Sequence, residues 1–291
     1  MIKSSELILN PDGSVFHLHL LPEQVAGTII LVGDPDRVEM VSSHFDRIDV
    51  KIQNREFVTH TGTYRGQQIT ALSTGIGTDN IDIVVNELDA LVNLDMETRR
   101  PKAKLNRLNL IRIGTSGSIQ PDIPIGTFLL TEKAIGFDGL LNYYSRCDDA
   151  SDLALESAFM EYVSWDPRLP KPYVVSADQE LFKQFTGKEV TTGITISASG
   201  FYGPQGRIVR LPLAHPGLNE KIMKFRFGTE KVTNFEMESS AIYGLASLLG
   251  HRAVTLCAII ANRATGEFMG EYKNLMERLI VFSLNRITSK P

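Results

Sequence analysis

The 291-residue sequence has no apolar run long enough to cross a membrane. Its two cysteines, Cys147 and Cys257, supply no disulfide framework, and neither stands in a CxxC spacing that would suggest zinc. Positive charge is not in excess. Lys and Arg total 30 against 34 Asp and Glu, a formal net charge of −4, so no basic field favours nucleic acid. There is no Walker A sequence, and Gly75-Ile76-Gly77 lacks the third glycine of a dinucleotide fingerprint. Residues 114–118 approach a Gly-x-Ser-x-Gly nucleophile elbow, but the last glycine is missing, which argues against a serine hydrolase. The first residues, Met1 to Glu6, carry no apolar leader, so a cytoplasmic protein that touches no membrane is expected. No segment repeats, and none is of low complexity.

What is there is ordinary globular composition, 43% hydrophobic and 22% charged. The apolar segments alternate between strand-like and helix-like spacing. Strands are predicted at Thr28–Val32, Asp46–Ile52, Glu56–Tyr64, Gln68–Ser73, Leu110–Ile113, Gly126–Ile135, Tyr173–Ser176, Glu189–Ser197 and His251–Ala261. Helices are predicted from Pro35 or Asp36, over the apolar positions Ile81 to Val92, at Leu153–Val163 and Asp178–Phe185, from Asn234 to Leu249, and over Glu271–Leu284. Val15–Leu20 alternates, which would put His17 and His19 on one face of an extended segment. Residues 138–172 show no chemistry and read as an insertion or lid within one domain of 1–291.

Leu110–Gly117 is the segment hardest to explain by packing. Arg112 sits in an apolar strand, and Gly114, Thr115 and Gly117 read as a tight turn beyond its end. A buried guanidinium needs an anionic partner. Either a buried Asp or Glu supplies it, or Arg112 and Thr115 hold a phosphate or carboxylate beyond the strand end. Gly33-Asp34-Pro35-Asp36-Arg37 offers a second anion site, a glycine turn at a helix start. Residues 199–207 combine Phe201, Tyr202, Gln205 and Arg207 among glycines, a mixture suited to a flat heterocycle, although composition alone favours a structured surface loop. Glu236 and Glu238 flank Met237 where a helix is predicted to open. They favour the helix dipole there, and could also grip a pair of sugar hydroxyls.

In this order the segments resemble the uridine phosphorylases of the nucleoside phosphorylase I family. The residues that carry the resemblance are Phe-His-Leu at 16–18, Gly-Asp-Pro-Asp-Arg at 33–37, Arg-Glu-Phe at 55–57, Ser-Thr-Gly-Ile-Gly at 73–77, Arg-Ile-Gly-Thr at 112–115, Phe-Tyr-x-x-Gln-x-Arg at 201–207, Glu-Met-Glu at 236–238 and Asn-Arg at 262–263. The resemblance implies one α/β domain with a mixed central sheet distorted toward a barrel and surrounded by helices. It implies reversible phosphorolysis of uridine, with inorganic phosphate as co-substrate and neither an organic cofactor nor a catalytic metal. Gly33, Arg37, Arg112 and Thr115 would bind phosphate, joined by Arg55 from a neighbouring subunit. Phe201, Gln205 and Arg207 would form the base pocket, with Arg263 close by. Glu236, Met237 and Glu238 would serve the ribose, with His17 reaching its 5′ end from the neighbour. Arg112, Gln205 and Arg207 would carry the catalysis.

The resemblance also implies a homo-oligomer with a dimer as its unit and a hexamer as the larger form. Relatives with a structural monovalent cation (K+) hold it at positions matching Glu56, Ile76 and Asn80, and Asn80 replaces their serine. Gly203-Pro204 reverses the commoner Pro-Gly of the base loop. Purine-acting relatives, phosphorylases or nucleosidases, place an acidic aspartate where this chain has Ala261-Asn262-Arg263. They are the enzymatic alternative. A non-catalytic nucleoside-binding protein is the other.

Overall fold

The structure, a computed structural model, describes residues 1–289. In chain order its strands are β1 (Thr28–Val32), β2 (Arg47–Asn54), β3 (Phe57–Tyr64), β4 (Gln67–Ser73), β5 (Leu94–Asp95), β6 (Arg100–Pro101), β7 (Asn109–Ser118), β8 (Phe128–Gly136), β9 (Tyr173–Ser176), β10 (Val190–Ser197), β11 (Arg226–Phe227), β12 (Glu230–Glu236), β13 (Arg252–Asn262) and β14 (Glu267–Phe268). The helices are α1 (Asp36–Ser42), α2 (Thr78–Asn93), α3 (Cys147–Ala150), α4 (Leu153–Val163), α5 (Gln179–Phe185), α6 (Leu218–Lys224), α7 (Ser239–Leu249) and α8 (Lys273–Thr288). No described helix is long and apolar enough to cross a membrane.

The main sheet runs β11-β12-β10-β8-β13-β7-β1-β4-β3-β2. A further antiparallel pairing joins β12 to β7 through Asn234–Ser118 and Phe235–Gly117. Strands β7, β13, β8, β10 and β12 therefore close on one another, and β1, β4, β3 and β2 extend from β7 as an open wing. This is the mixed sheet distorted toward a barrel that the resemblance implied. The closing pair brings the carboxyl ends of β12 and β7 together, which sets Phe235 across from Gly117, with Glu236 next along β12. Opposite them, the register of β13 slips between Ile259 and Ala261. A bulge of this kind re-aims the extra residue, and Ile260 lines the cavity described below.

Three apolar layers hold the sheet. One packs α2 and α7 onto β1 and β4 through residues such as Val84, Leu88, Ile242 and Leu245. A second packs α1, α5 and α8 on the other face, with Val38, Phe185 and Leu279 buried. A third lies over β10 and β12 and includes Leu155, Phe159 and Val163 of α4. Residues 138–172 thus contribute buried side chains to the core, Leu141 among them.

Three local expectations need correction. Val15–Leu20 is not extended. His19 N donates to Val15 O at 3.0 Å, Val15 N donates to Leu20 O at 3.1 Å, and His19 has φ 55°. The loop forms because Glu87 of α2 accepts from the N–H groups of both His17 and Leu18. Accordingly the two histidines part company: His17 Nδ1 meets Glu87 at 2.6 Å, and His19 Nε2 meets Asp12 at 3.2 Å. Second, residues 114–117 are not a turn, because β7 continues through them to Ser118, paired with β13. Third, Asn234–Glu236 ends β12, and α7 opens only at Ser239.

Candidate active site

A cavity of about 880 Å³ opens where the carboxyl ends of β1, β7, β12 and β13 meet. Gly33, Arg37, Arg112, Thr115, Phe201, Gln205, Arg207, Glu236, Met237, Glu238 and Arg263 all line it. Residues separated by more than 200 positions thus share one wall. Of the expected set, His17 and Arg55 lie elsewhere. They form a patch of their own: Arg55 stacks on Phe16 at 5.7 Å from the ring centroid, and Asn54 Nδ2 donates to His17 O at 2.8 Å.

Arg112 is 6% exposed and is paired within the chain. Its Nη2 donates to Glu238 Oε2 and lies 3.4 Å from Glu236 Oε2. Burial opposes the charge on Arg112, but Glu238 and Glu236 more than offset it, and the guanidinium is held above its ordinary pKa. The space for this arrangement comes from Gly114, where a Cβ would overlap the guanidinium. Arg112 therefore has the internal carboxylate partner of the first reading, and it also faces a cavity. Behind it, Nη1 donates to Cys257 Sγ at 3.5 Å. Burial pushes that thiol up to about 12, so it stays protonated beside the arginine.

The two glutamates are held differently. Glu236 accepts from Ser197 Oγ at 2.5 Å, Glu238 N at 2.9 Å and Ser239 N at 3.0 Å. Glu238 accepts from Gly77 N at 2.7 Å and from Arg112. Burial raises the Glu238 pKa, Arg112 counteracts this, and Glu236 adds to the rise. These are the acids that a helix-dipole reading placed on the first turn of α7. Glu236 belongs instead to the strand end, and Glu238 is the residue just before the helix.

A second group of contacts gathers around the 199–207 loop. Arg207 lies 3.9 Å from the centroid of the Phe201 ring, and its Nη1 donates to Phe201 O at 2.6 Å and to Gln205 Oε1. Gln205 is buried, which leaves its amide N–H groups as the donors still to be used. Arg263 clamps the loop from just beyond β13, donating to Gln205 O and, at 3.1 Å, to Gly206 O. Burial, then the neighbouring charge of Arg263, depress the Arg207 pKa to about 10. Two cations packed side by side in a half-buried pocket favour an anion or an electron-rich acceptor there. Gly203–Gln205 forms one 3₁₀ turn, ended by Gly206 at φ 68°. The reversed Gly-Pro is accommodated within that turn.

Asn262 is spent on the backbone. Its Nδ2 donates to Gln120 O and Ile123 O at 3.0 and 2.9 Å, and its Oδ1 accepts from Ala264 N and Thr265 N. Glu56, Ile76 and Asn80 border the cavity, and Asn80 Nδ2 donates to Glu56 Oε1 at 3.4 Å. Among the described residues, no three His, Cys, Asp or Glu cluster as metal ligands would.

Sequence reasoning missed several contributors. Phe235 lies under Arg263 at 5.8 Å, and Phe268 of β14 forms an exposed part of the cavity wall. Gly77 N and Ser197 hold the glutamates. Ser197 ends a strand beside a strand that ends in glutamate, and that juxtaposition is visible only once β10 and β12 are paired.

Residues 28–284 match the Phosphorylase superfamily. The chain is 33% identical over 273 residues to a uridine phosphorylase of Thermococcus kodakarensis, covering 91% of this chain and 83% of that protein. It is 29% identical over 265 residues to a uridine phosphorylase of Haemophilus influenzae, with 88% and 90% covered. A Trypanosoma brucei nucleoside phosphorylase, whose crystal structure shows uridine phosphorylase activity, aligns at TM-score 0.88 and 32% identity, covering 98% of this chain and 100% of that one. Matched from β1 into α8, and folded as that structure is, the chain belongs to the phosphorylase superfamily.

Proposed function

We infer that the chain is a uridine phosphorylase, a pentosyltransferase that converts uridine and phosphate reversibly to uracil and ribose 1-phosphate. The observation that carries this reading is the pairing, in one cavity, of the buried Arg112–Glu238 contact with the Gln205–Arg207–Arg263 group. The first suits an anion beside a sugar diol, and the second suits a base edge that gains negative charge. Phosphate binds to Gly33 N–H, Arg37, Arg112 and Thr115. Arg55 joins them from the partner subunit, and His17 of the partner reaches the ribose 5′ end. Glu238, with Met237, holds the ribose hydroxyls, and Glu236 supports it. Phe201 stacks on the uracil.

A phosphate oxygen forms a bond to C1′ as the bond from C1′ to the base nitrogen breaks. The electron pair leaves with uracil, where Gln205 and Arg207 receive it as hydrogen-bond donors. Solvent then protonates the uracil anion. Removing one such preorganised donor typically raises the barrier by about 3–4 kcal/mol. No step uses an organic cofactor or a metal. A K+ ion at Glu56, Ile76 and Asn80 would have to turn the Asn80 amide, whose nitrogen now faces Glu56. The reaction is one of cytoplasmic pyrimidine salvage.

Asn262 argues for a pyrimidine. It lies in Ala261-Asn262-Arg263, the stretch where purine-acting relatives place an aspartate, and all its hydrogen-bonding capacity in the structure goes to backbone groups. The test compares uridine, thymidine and inosine, each with and without phosphate. Uridine should be cleaved fastest, and only with phosphate present. Faster inosine cleavage would overturn the base assignment. Cleavage without phosphate would make the chain a nucleosidase, and tight uridine binding with no uracil released would make it a binding protein.

A further inference from the structure

The N-terminus of α7 is capped by residues from two neighbouring strands, and the residue in its N-cap position is Glu238. Glu238 does not cap the helix with its own side chain. The caps come from elsewhere. Glu236, at the end of β12, accepts from Ser239 N at 3.0 Å. Ser197, at the end of β10, accepts from Ser240 N at 2.9 Å and donates to Glu236 at 2.5 Å. Asp138, just beyond β8, accepts from Ser240 Oγ at 3.0 Å. The Tyr173 hydroxyl of β9 lies 2.9 Å from Asp138 Oδ1 and 3.1 Å from Ser240 Oγ.

Ser197, Ser240 and Glu236 are all buried, and Asp138 and Tyr173 lie behind them, away from the cavity wall. The chain of contacts is nonetheless continuous from Asp138 to Glu238. A Cβ at Gly136 would overlap the Tyr173 ring, so even the strand beneath is shaped to admit it. The result is that the Glu238 backbone is fixed from behind, through its N–H to Glu236, while Gly77 N and Arg112 hold the carboxylate it carries. Buried polar networks that are fully paired rigidify what they hold.

We propose that Ser197, with Asp138 and Tyr173 behind it, is a positioning residue for Glu238, and that this network sets how sharply the site distinguishes ribose from 2-deoxyribose. A carboxylate accepts two adjacent hydroxyls at once only if its plane is fixed; a loosened one accepts a single hydroxyl nearly as well. The proposal rests on the reading that Glu238 takes the ribose hydroxyls. It does not depend on which base is cleaved.

The test therefore uses sugar phosphates and calorimetry, and needs no turnover. Parent, Ser197→Ala, Ser197→Thr and Tyr173→Phe are titrated with ribose 1-phosphate, 2-deoxyribose 1-phosphate and inorganic phosphate. Ser197→Ala should weaken ribose 1-phosphate roughly tenfold, the scale of a buried hydrogen bond to a charged group, and compress its preference over the deoxy sugar toward one. Inorganic phosphate should change less than ribose 1-phosphate does, since Arg37 and Thr115 lie outside the network and only Arg112 touches it, through Glu236 and Glu238. Ser197→Thr, which keeps the hydroxyl, should restore most of the preference. Tyr173→Phe keeps the ring and removes only the hydroxyl, so it probes the same network even if Ser197→Ala fails to fold; it should compress the preference in the same direction. A folded Ser197→Ala or Tyr173→Phe that keeps the parent preference overturns the proposal. A parent that binds no ribose 1-phosphate overturns the proposed function, and the positioning role with it.

Discussion

At the scale of single residues, Glu238 is where charge and surroundings conflict most. Burial raises its pKa above the ordinary 4.5, Arg112 opposes that rise, and Glu236 reinforces it. Only the ionised carboxylate accepts from Arg112 and from two sugar hydroxyls together. At saturating phosphate, kcat/KM for uridine should therefore fall as pH drops through a value above the normal glutamate range. Glu238→Gln should remove that dependence and leave a rate lower by roughly tenfold or more. A pH–rate profile of the two proteins decides this; an acid limb unchanged by the substitution would assign it to another group. Stability has the opposite sign. Between the ordinary and the raised pKa the folded chain binds more protons than the unfolded one, so the contribution of Glu238 falls as pH rises through that window.

At the scale of elements, the informative strand is β7. Its sequence, Leu-Ile-Arg-Ile-Gly-Thr-Ser-Gly, reads as a strand that stops at a glycine turn. The strand instead continues to Ser118, and Gly114 is there to leave room for the Arg112 side chain folded back over it. Glycine signals close approach as readily as it signals a turn, and sequence alone does not separate the two. Gly114→Ala should displace the guanidinium from Glu238 while β7 keeps its pairing with β13. The expected cost is about 1–3 kcal/mol of stability, the usual range for overpacking, together with a raised KM for phosphate. Denaturant unfolding and phosphate titration measure the two separately; an unchanged phosphate KM would mean that Arg112 does not serve the anion. The same limit explains the other departures. Local periodicity placed β1, β9 and α4 at their observed bounds, because each is a continuous apolar or amphipathic run. It misplaced Val15–Leu20, where a carboxylate 70 residues away decides the backbone. It did not show the partners of Asp138, Tyr173 and Ser240, which only the sheet brings near.

At the scale of the whole molecule, eleven expected site residues meet in one cavity, and two, His17 and Arg55, do not. Arg55 is exposed at the turn between β2 and β3, on φ 54°, and stacks on Phe16. Glu56, next to it, does border the cavity, so the β2–β3 turn carries one residue toward its own site and one away from it. A residue pointing away can still serve an identical site across a two-fold axis. In that arrangement an Arg55→Ala subunit keeps an intact base pocket and lacks only what it gives its partner. An Arg207→Ala subunit has the opposite defect. Each alone should be severely impaired. When the two are mixed through unfolding and refolding, a mixed dimer holds one site with both changes and one with neither. Random pairing makes about half the dimers mixed, so about a quarter of all sites should recover uridine cleavage. The quantity to measure is activity per subunit in mixtures whose hetero-oligomers have been confirmed by mass. Recovery near that fraction would require Arg55 to act across the subunit boundary; its absence in confirmed hetero-oligomers would return Arg55 to its own chain. The dimer, and any hexamer built from it, would then have no part in completing the phosphate site through this residue.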